Sequence, residues 1–381
     1  MKITLIGTAY PYRGGLALFN ERLIEEFSKQ NDEVKIETFS LQYPSFLFPG
    51  KSQYSTEINH NSFPIIRSIN SINPFSWIKV GLKLKKEKPD IVIVKYWMPF
   101  FALCFSTILS LTKKNHKTKI IAIIDNIIPH EKRFLDSFLT RLFTKSVDGF
   151  IAMSKSVFED IYSFEAIKPR ILSPHPLFDN FGEKISKKEA LEKLNLKETD
   201  INLLFFGLIR KYKGLDMLLE ALSDERLRKY PIKLVVAGEF YEDSTPYYDM
   251  VKKLNLEDKV IFHPRFIPDS EVKNYFCATD LLVLPYRNAT QSGVTQISYH
   301  FEKPMLVTNV GGLAEIIPNN KVGYVVEANV KSISDALVSF CESSPSFIEG
   351  IEQEKMKYSW ERMSEAIKKL YKQTTAYDNK K

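Results

Sequence analysis

Phe205-Phe206-Gly207-Leu208-Ile209-Arg210-Lys211-Tyr212-Lys213-Gly214-Leu215 is an apolar run that halts at a basic turn and restarts as a helix. Upstream, Ile201–Phe206 reads as a buried strand. Downstream, Leu215, Leu218, Leu219 and Leu222 recur at helical intervals, so an amphipathic helix opens at Gly214. A strand, a turn holding glycines and cations, and a helix amino terminus make a corner suited to an anion. Free backbone N–H groups and the helix dipole favour negative charge there, and Arg210 and Lys213 can add charge-assisted bonds. Taken alone, Arg210, Lys211 and Lys213 also fit solvated loop charges.

Working outward, the same alternation fills the chain. Strands are expected at Lys2–Gly7, Val34–Phe39, Ile91–Lys95, Lys119–Ile124 and Gly149–Met153. Helices fit Leu16–Ser28, Pro74–Glu87, Phe101–Leu111 and Phe134–Thr144. Residues 40–73 fit neither period and read as an insertion. Pro174, Pro176 and the polar stretch after Gly182 mark a break. A second series follows, with strands at Ile201–Phe206, Ile232–Ala237, Lys259–Phe262, Leu281–Leu284 and Met305–Thr308. Its helices are Leu215–Arg228, Tyr247–Leu254, Glu271–Ala278 and Val294–Phe301, and Ser359–Lys372 is a terminal amphipathic helix. The expected fold class is α/β, with two Rossmann-like, doubly wound domains: residues 1–180, residues 181–358, and a final helical segment 359–381. Such domains bind ligands at the carboxyl ends of their strands, so a cleft between them is the expected site.

Composition narrows the chemistry. A chain of 381 residues exceeds one ordinary core. Cys104, Cys277 and Cys341 are distant and odd in number, which suits a reducing compartment. No CxxC or HExxH occurs, and the histidines lack ligand spacing, so no metal and no cofactor are expected. The brief apolar run Met1–Gly7 reads as a strand rather than a signal peptide. Tyr96–Thr112 is uncharged but too short for a spanning helix. Residues 1–180 carry 24 Lys/Arg against 17 Asp/Glu, whereas residues 181–381 carry 29 of each. The excess clusters at Lys79, Lys83, Lys85, Lys86 and Lys88, and again at Lys113, Lys114, Lys117 and Lys119, beside apolar segments. Such a face suits an anionic membrane surface or simply solubilises the chain; no nucleic-acid motif accompanies it. The expected location is cytoplasmic or peripheral on the inner face of the membrane.

Four further loops fall at expected strand ends. Gly14-Gly15 lets a phosphate or sugar approach the backbone, but it is no GxGxxG fingerprint. Asp125-Asn126 and Pro129-His130-Glu131 set carboxylates and an imidazole near one edge. Thr290-Gln291-Ser292-Gly293-Val294-Thr295 opens a helix with free N–H groups beside hydroxyls and an amide, with ordinary capping by Ser292 as the alternative. Gly311-Gly312-Leu313-Ala314-Glu315 is another turn into a helix. No DxD pair is present, so a cationic clamp would do the work of a metal on a departing diphosphate.

Gly-Gly after the first strand, G-x-I-R-x-Y-K-G, and QSGV followed by KPMLVTNVGGLAE together resemble the retaining glycosyltransferases of family 4, which have the GT-B fold. The resemblance spans nearly the whole chain and includes the last helix, which in such proteins crosses back to the first domain. It implies transfer of a sugar from a nucleotide-sugar donor to a glycan or lipid-linked acceptor with retention at the anomeric carbon. By position, it implies that Arg210 and Lys213 grip the donor diphosphate while Gly293, Val294 and Thr295 present N–H groups. Gly14 and Gly15 would lie beside the phosphates, Gly238 and Glu239 would line the donor pocket, and Phe266 and Ile267 would contact the nucleobase. The family's two glutamates fall at Thr290 or Gln291 and near Ser298. Leu208 replaces an arginine, and Asp125 replaces a histidine. Asp125 and His130 are then candidates for acceptor or donor-sugar contacts. Front-face substitution needs no pair of carboxylates of the glycosidase kind. A catalytically silent sugar-nucleotide-binding partner and a nucleotide-sugar epimerase remain the alternative readings.

Overall fold

The computed structural model describes residues 1–44, 52–55, 57, 61–128, 134–289, 292–343 and 345–378, which divide into two compact units. Unit 1 comprises Met1–Pro176 together with Ser359–Lys381; unit 2 is Leu177–Tyr358.

In unit 1 the elements run β1 (Lys2–Ile6), α1 (Gly15–Lys29), β2 (Glu33–Leu41), β3 (Ile65–Asn70), α2 (Pro74–Glu87), β4 (Ile91–Tyr96), α3 (Ala102–Lys113), β5 (Lys119–Ile124), α4 (Asp136–Ser146), β6 (Gly149–Ala152), α5 (Lys155–Tyr162) and β7 (Arg170–Leu172). The described strands form one parallel sheet in the order β3-β2-β1-β4-β5-β6-β7. Every residue of β4 is buried, as the run Ile-Val-Ile-Val-Lys-Tyr requires of a strand covered on both faces. The order reverses between β1 and β4, which makes that point the switch where a crevice opens at the carboxyl edge.

Unit 2 continues with α6 (Lys187–Leu194), β8 (Ile201–Phe206), α7 (Leu215–Leu222), β9 (Ile232–Ala237), α8 (Thr245–Lys253), β10 (Val260–His263), α9 (Asp269–Ala278), β11 (Leu281–Leu284), α10 (Gly293–His300), β12 (Met305–Thr308), α11 (Leu313–Ile316), β13 (Gly323–Val326), α12 (Val330–Ser343) and α13 (Ile348–Lys355). Its parallel sheet runs β10-β9-β8-β11-β12-β13, with the switch between β8 and β11.

The last helix, α14 (Trp360–Asp378), belongs to unit 1. Trp360, Met363, Ile367 and Leu370 are buried, and the Trp360 ring lies 5.2 Å from Phe19 of α1. Gln30 ties the two helices from the end of α1: its Nε2 donates to Ser364 Oγ at 2.8 Å, and Lys368 Nζ donates to its Oε1 at 2.7 Å.

Three expectations are corrected. Part of the supposed insertion 40–73 is β3, whose Ile-Ile-Arg-Ser-Ile-Asn pattern is a short edge strand with one buried face at Ile69. The helix expected over Leu215–Arg228 ends at Leu222, and a separate 3-10 turn covers Glu225–Leu227, begun by Asp224 accepting from Arg226 N. The terminal helix runs on to Asp378.

Candidate functional site in unit 2

β8 ends at Phe206, and Gly207 turns the chain with φ +101°. Pairing with the neighbouring loop continues beyond the strands: Gly207 N donates to Ala237 O, and Ile209 N donates to Glu239 O, both at 2.9 Å. The two backbones touch so closely that a Cβ on Gly238 would stand 1.9 Å from Gly207 O. Gly238 therefore has no space for a side chain, and at Gly207 the positive φ disfavours one.

The chain then forms a 3-10 turn, Lys211–Lys213, and reaches α7 through Gly214 at φ +70°. A Cβ on Gly214 would meet Pro285 O at 2.0 Å, so the loop lies flat on the end of β11. Arg287, just beyond that strand, holds it in place. Its Nη1 donates to Lys211 O at 3.1 Å, its two terminal nitrogens reach both carboxylate oxygens of Asp216 at 2.7 and 2.8 Å, and its N donates to Tyr212 O at 2.7 Å. Sequence reasoning missed Arg287; a lone arginine after a strand carries no local signal of a fork that spans two loops.

This scaffold buries Lys213 to 8% exposure, over the switch between β8 and β11. Among the described residues no carboxylate pairs with it; its Nζ stands 5.4 Å from the Tyr286 ring centre. Burial pulls its pKa below the usual lysine value, and the nearby Arg210 charge adds to that shift. Arg210 is exposed, with its guanidinium 5.3 Å from the ring of Tyr241.

Lys213 Nζ is 3.2 Å, and Val294 Cγ2 3.6 Å, from the space a Cβ on Gly207 would take. The basic loop and the start of α10 thus converge on one bare glycine. Tyr286 links them further, its hydroxyl 3.5 Å from Ser292 Oγ at the N-cap of α10. Burial raises the Tyr286 pKa to about 12, so the phenol stays neutral. Ser292 makes no side-chain hydrogen bond to the first N–H groups of α10, so the capping alternative is not realised. Those donors, the buried ammonium and the exposed guanidinium can together bind a multiply charged anion.

Other expected site residues divide between surface and interior. Thr295 and Ser298 lie inside α10's buried face; their hydroxyls donate to Ser292 O at 2.6 Å and Lys303 O at 2.9 Å. The Phe178 ring covers Gly293, leaving only 2.6 Å to a Cβ there. Glu239 is buried at the end of β9, while Phe266 is half-buried and Ile267 buried beyond β10. Thr290 and Gln291 lie outside the described residues, as does His130.

In unit 1, Gly14 takes φ +97° with open space where a Cβ would be, and Gly15 is exposed at the start of α1. Asp125 follows β5 and forms an ion pair with Lys95 of β4, Nζ to Oδ1 2.9 Å. Lys95 is 2% exposed, and its Nζ lies 3.4 Å above the centre of the Phe19 ring. Burial lowers its pKa, and Asp125 opposes that shift. His175 stacks edge-on against the same Phe19; burial and the Lys95 charge push its pKa to about 3, so it is neutral and can donate from Nδ1 to Pro176 O at 2.7 Å. Lys95 is the one cation in the apolar run of β4, the signal in the sequence that points to it. No cluster of three His, Cys, Asp or Glu suited to a metal occurs among the described residues.

Comparison with known proteins places these loops. Residues 186–363, which contain the whole unit 2 constellation, match the model of the family described as Glycosyl transferases group 1. An uncharacterised glycosyltransferase of Methanocaldococcus jannaschii is 24% identical, with 98% of each chain covered. Among solved structures, sucrose-phosphate synthase from Thermosynechococcus elongatus aligns with TM-score 0.75 and 15% identity over 99% of this chain and 100% of that one. Anabaena HepE, in complex with UDP and glucose, aligns with TM-score 0.73 and 13% identity over 97% and 99%. Such likenesses show the GT-B fold.

Proposed function

We propose, from the membership of residues 186–363 in the glycosyl transferases group 1 family, that this glycosyltransferase uses a nucleoside diphosphate-sugar as donor. The observation that carries the reading is Lys213: a buried ammonium with no carboxylate partner among the described residues, beside a bare glycine and an uncapped helix start. A charge held in that way costs stability unless an anion joins it. A diphosphate supplies that anion, and HepE, of the same fold, holds UDP in its crystal structure.

In this reading Arg210 and Lys213 bind the two phosphates, and the N–H groups of Gly293 and Val294 complete the cradle. As the sugar leaves, negative charge grows on the β-phosphate, and fixed cations stabilise that growth without a metal ion. The same oxygen can take the proton of the incoming hydroxyl on one face of the sugar, which retains the anomeric configuration. The acceptor is a glycan or a lipid-linked saccharide of cell-envelope or polysaccharide synthesis, met by the basic unit 1.

The test is a thermal-shift screen over UDP-, GDP-, ADP- and CMP-sugars with EDTA present, followed by assay of nucleoside diphosphate release with candidate acceptors. One nucleotide class should raise Tm by mass action and be turned over. Binding without turnover in the presence of acceptors would instead support a silent sugar-nucleotide-binding partner. No shift with any nucleotide would reject the donor site.

A further inference from the structure

Helix α2 carries two apolar stripes. One faces the core through Val80, Gly81 and Leu84, and Gly81 lies so close to α3 that a Cβ would meet Leu111 Cβ at 2.8 Å. The other points away from the core: Phe75, Ile78 and Leu82 are exposed, Phe75 to 82%, although spacing of three and four residues should have left this side polar. On the same outward arc stand Lys79 and Lys86, both exposed.

The neighbouring helices repeat the pattern. The topology puts α2, α3 and α4 side by side on one face of the sheet, because β3→β4, β4→β5 and β5→β6 all cross in the same direction. Leu103 is exposed at the start of α3, Phe134 is fully exposed just before α4, and Phe138 is 66% exposed within it. Arg141 and Lys145 follow on the exposed side of α4. Among the described residues Lys79, Lys86, Arg141 and Lys145 have no acidic partner, whereas Lys83, Lys113 and Lys117 are committed to Glu37, Asp148 and Asp90. The charge excess read from composition thus resolves into paired lysines that serve the fold and unpaired ones that share a face with exposed aromatic and aliphatic groups.

We propose that the outward face of α2, α3 and α4 is a docking surface for an anionic lipid bilayer. Phe75, Ile78, Leu82, Leu103 and Phe138 enter the boundary between headgroups and acyl chains, and the unpaired cations bind lipid phosphates. A second copy of the chain is disfavoured as the occupant, since a two-fold contact would set these cations against themselves. Phe75, Ile78, Leu103 and Phe138 fall in the amino-terminal halves of the three helices, which lie toward the carboxyl edge of the parallel sheet. That is the edge of Gly14, Gly15, Lys95 and Asp125, so docking delivers this edge to a membrane-borne acceptor. The inference rests on the lipid-linked acceptor of the proposed function and adds the surface that reaches it.

The test is flotation of the full chain with phosphatidylcholine vesicles, with and without phosphatidylglycerol. The protein should float with the anionic vesicles only, and less as salt is raised. Phe75→Ser with Leu82→Ser and Phe138→Ser should cut vesicle binding about tenfold or more, and Lys79→Gln or Lys86→Gln about fivefold each. The nucleotide-dependent rise in Tm and the slow hydrolysis of donor should stay unchanged in all of them. The surface is overturned if the native chain stays out of the anionic vesicle fraction, or if the triple variant floats as the native chain does. It is also overturned if the native chain is a dimer that the triple substitution makes monomeric without any vesicle effect. The nucleotide-dependent shift reports separately on the donor site, so loss of docking with that shift intact rejects the surface alone.

Discussion

Replacing Lys213 by methionine keeps most of the side-chain volume and removes the charge, and two readouts should move in opposite directions. A unit charge about 4 Å from a phosphate oxygen at an effective dielectric near 20 contributes roughly 4 kcal/mol. Loss of one preorganised donor at a developing anion typically costs about 10²- to 10³-fold in rate. Transfer by Lys213→Met should therefore fall by about that factor. The fold should gain stability, because an ammonium at 8% exposure without a carboxylate among the described residues is a burden on the unliganded state. A gain on the order of 1–2 kcal/mol is expected, or roughly 2–8 °C in Tm for a unit of this size. The burden depends on pH. Burial lowers the folded-state pKa of Lys213 below its unfolded value, so stability of the native chain should rise with pH between those two values, and the variant should lose that contribution. The assay pairs steady-state nucleoside diphosphate release with Tm measured with and without UDP or GDP. Native turnover in the variant would refute the clamp. So would a lower Tm together with an undiminished nucleotide-dependent shift, because it would make Lys213 a structural residue.

Arg287→Ala removes the fork that holds Lys211 and Asp216, and should lower turnover about tenfold or more while donor-free Tm changes little; equal activity would show that the loop is rigid without it. Gly214→Ala forces a Cβ into Pro285 O at a positive φ and should cost at least about 2 kcal/mol, checked by urea unfolding. Asp125→Ala leaves the Lys95 ammonium buried alone and should cost about 3–5 kcal/mol, whereas Lys95→Met should cost far less because Asp125 can still reach water; equal losses would refute the asymmetry. His175 has its pKa lowered to about 3 by burial first, so the unfolded chain binds the extra proton between that value and the ordinary histidine range. Stability should therefore fall as pH drops through that window, and His175→Phe should flatten the fall.

The parallel sheets were legible because strands buried on both faces are written as unbroken apolar runs, and β4, β5, β8 and β11 are such runs. β3 escaped because one side of an edge strand faces solvent, and its residues 65–70 carry Arg, Ser and Asn among the isoleucines. In the site, Arg210 and Lys213 could be picked out since glycines and a helix start bracket them. What could not be read is the division of labour between them: one is exposed and the other buried, a difference that comes from the loop lying flat on β11. Thr295 and Ser298 show what motif position leaves unread. The resemblance offers the Thr295 N–H and the place of Ser298 to a ligand, whereas helix rotation turns both hydroxyls inward onto backbone carbonyls, and the Thr295 N–H also donates to Ser292 O at 3.2 Å. The second apolar stripe of α2 was also hidden, because periodicity reports how many faces are apolar only after the core face is known.

The docking of α14 on α1 has a consequence for biosynthesis. Unit 1 starts with the first residue but is completed only by Trp360, Met363, Ile367 and Leu370. A chain emerging from the ribosome at about 5–20 residues per second therefore finishes unit 2, a single uninterrupted segment, before unit 1 can close. Until then the Phe19 side of α1 lacks its cover, and the nascent amino-terminal half carries an apolar face open to chaperones. A protein cut after Tyr358 would keep that vulnerability for good: unit 2 intact, and unit 1 prone to aggregate.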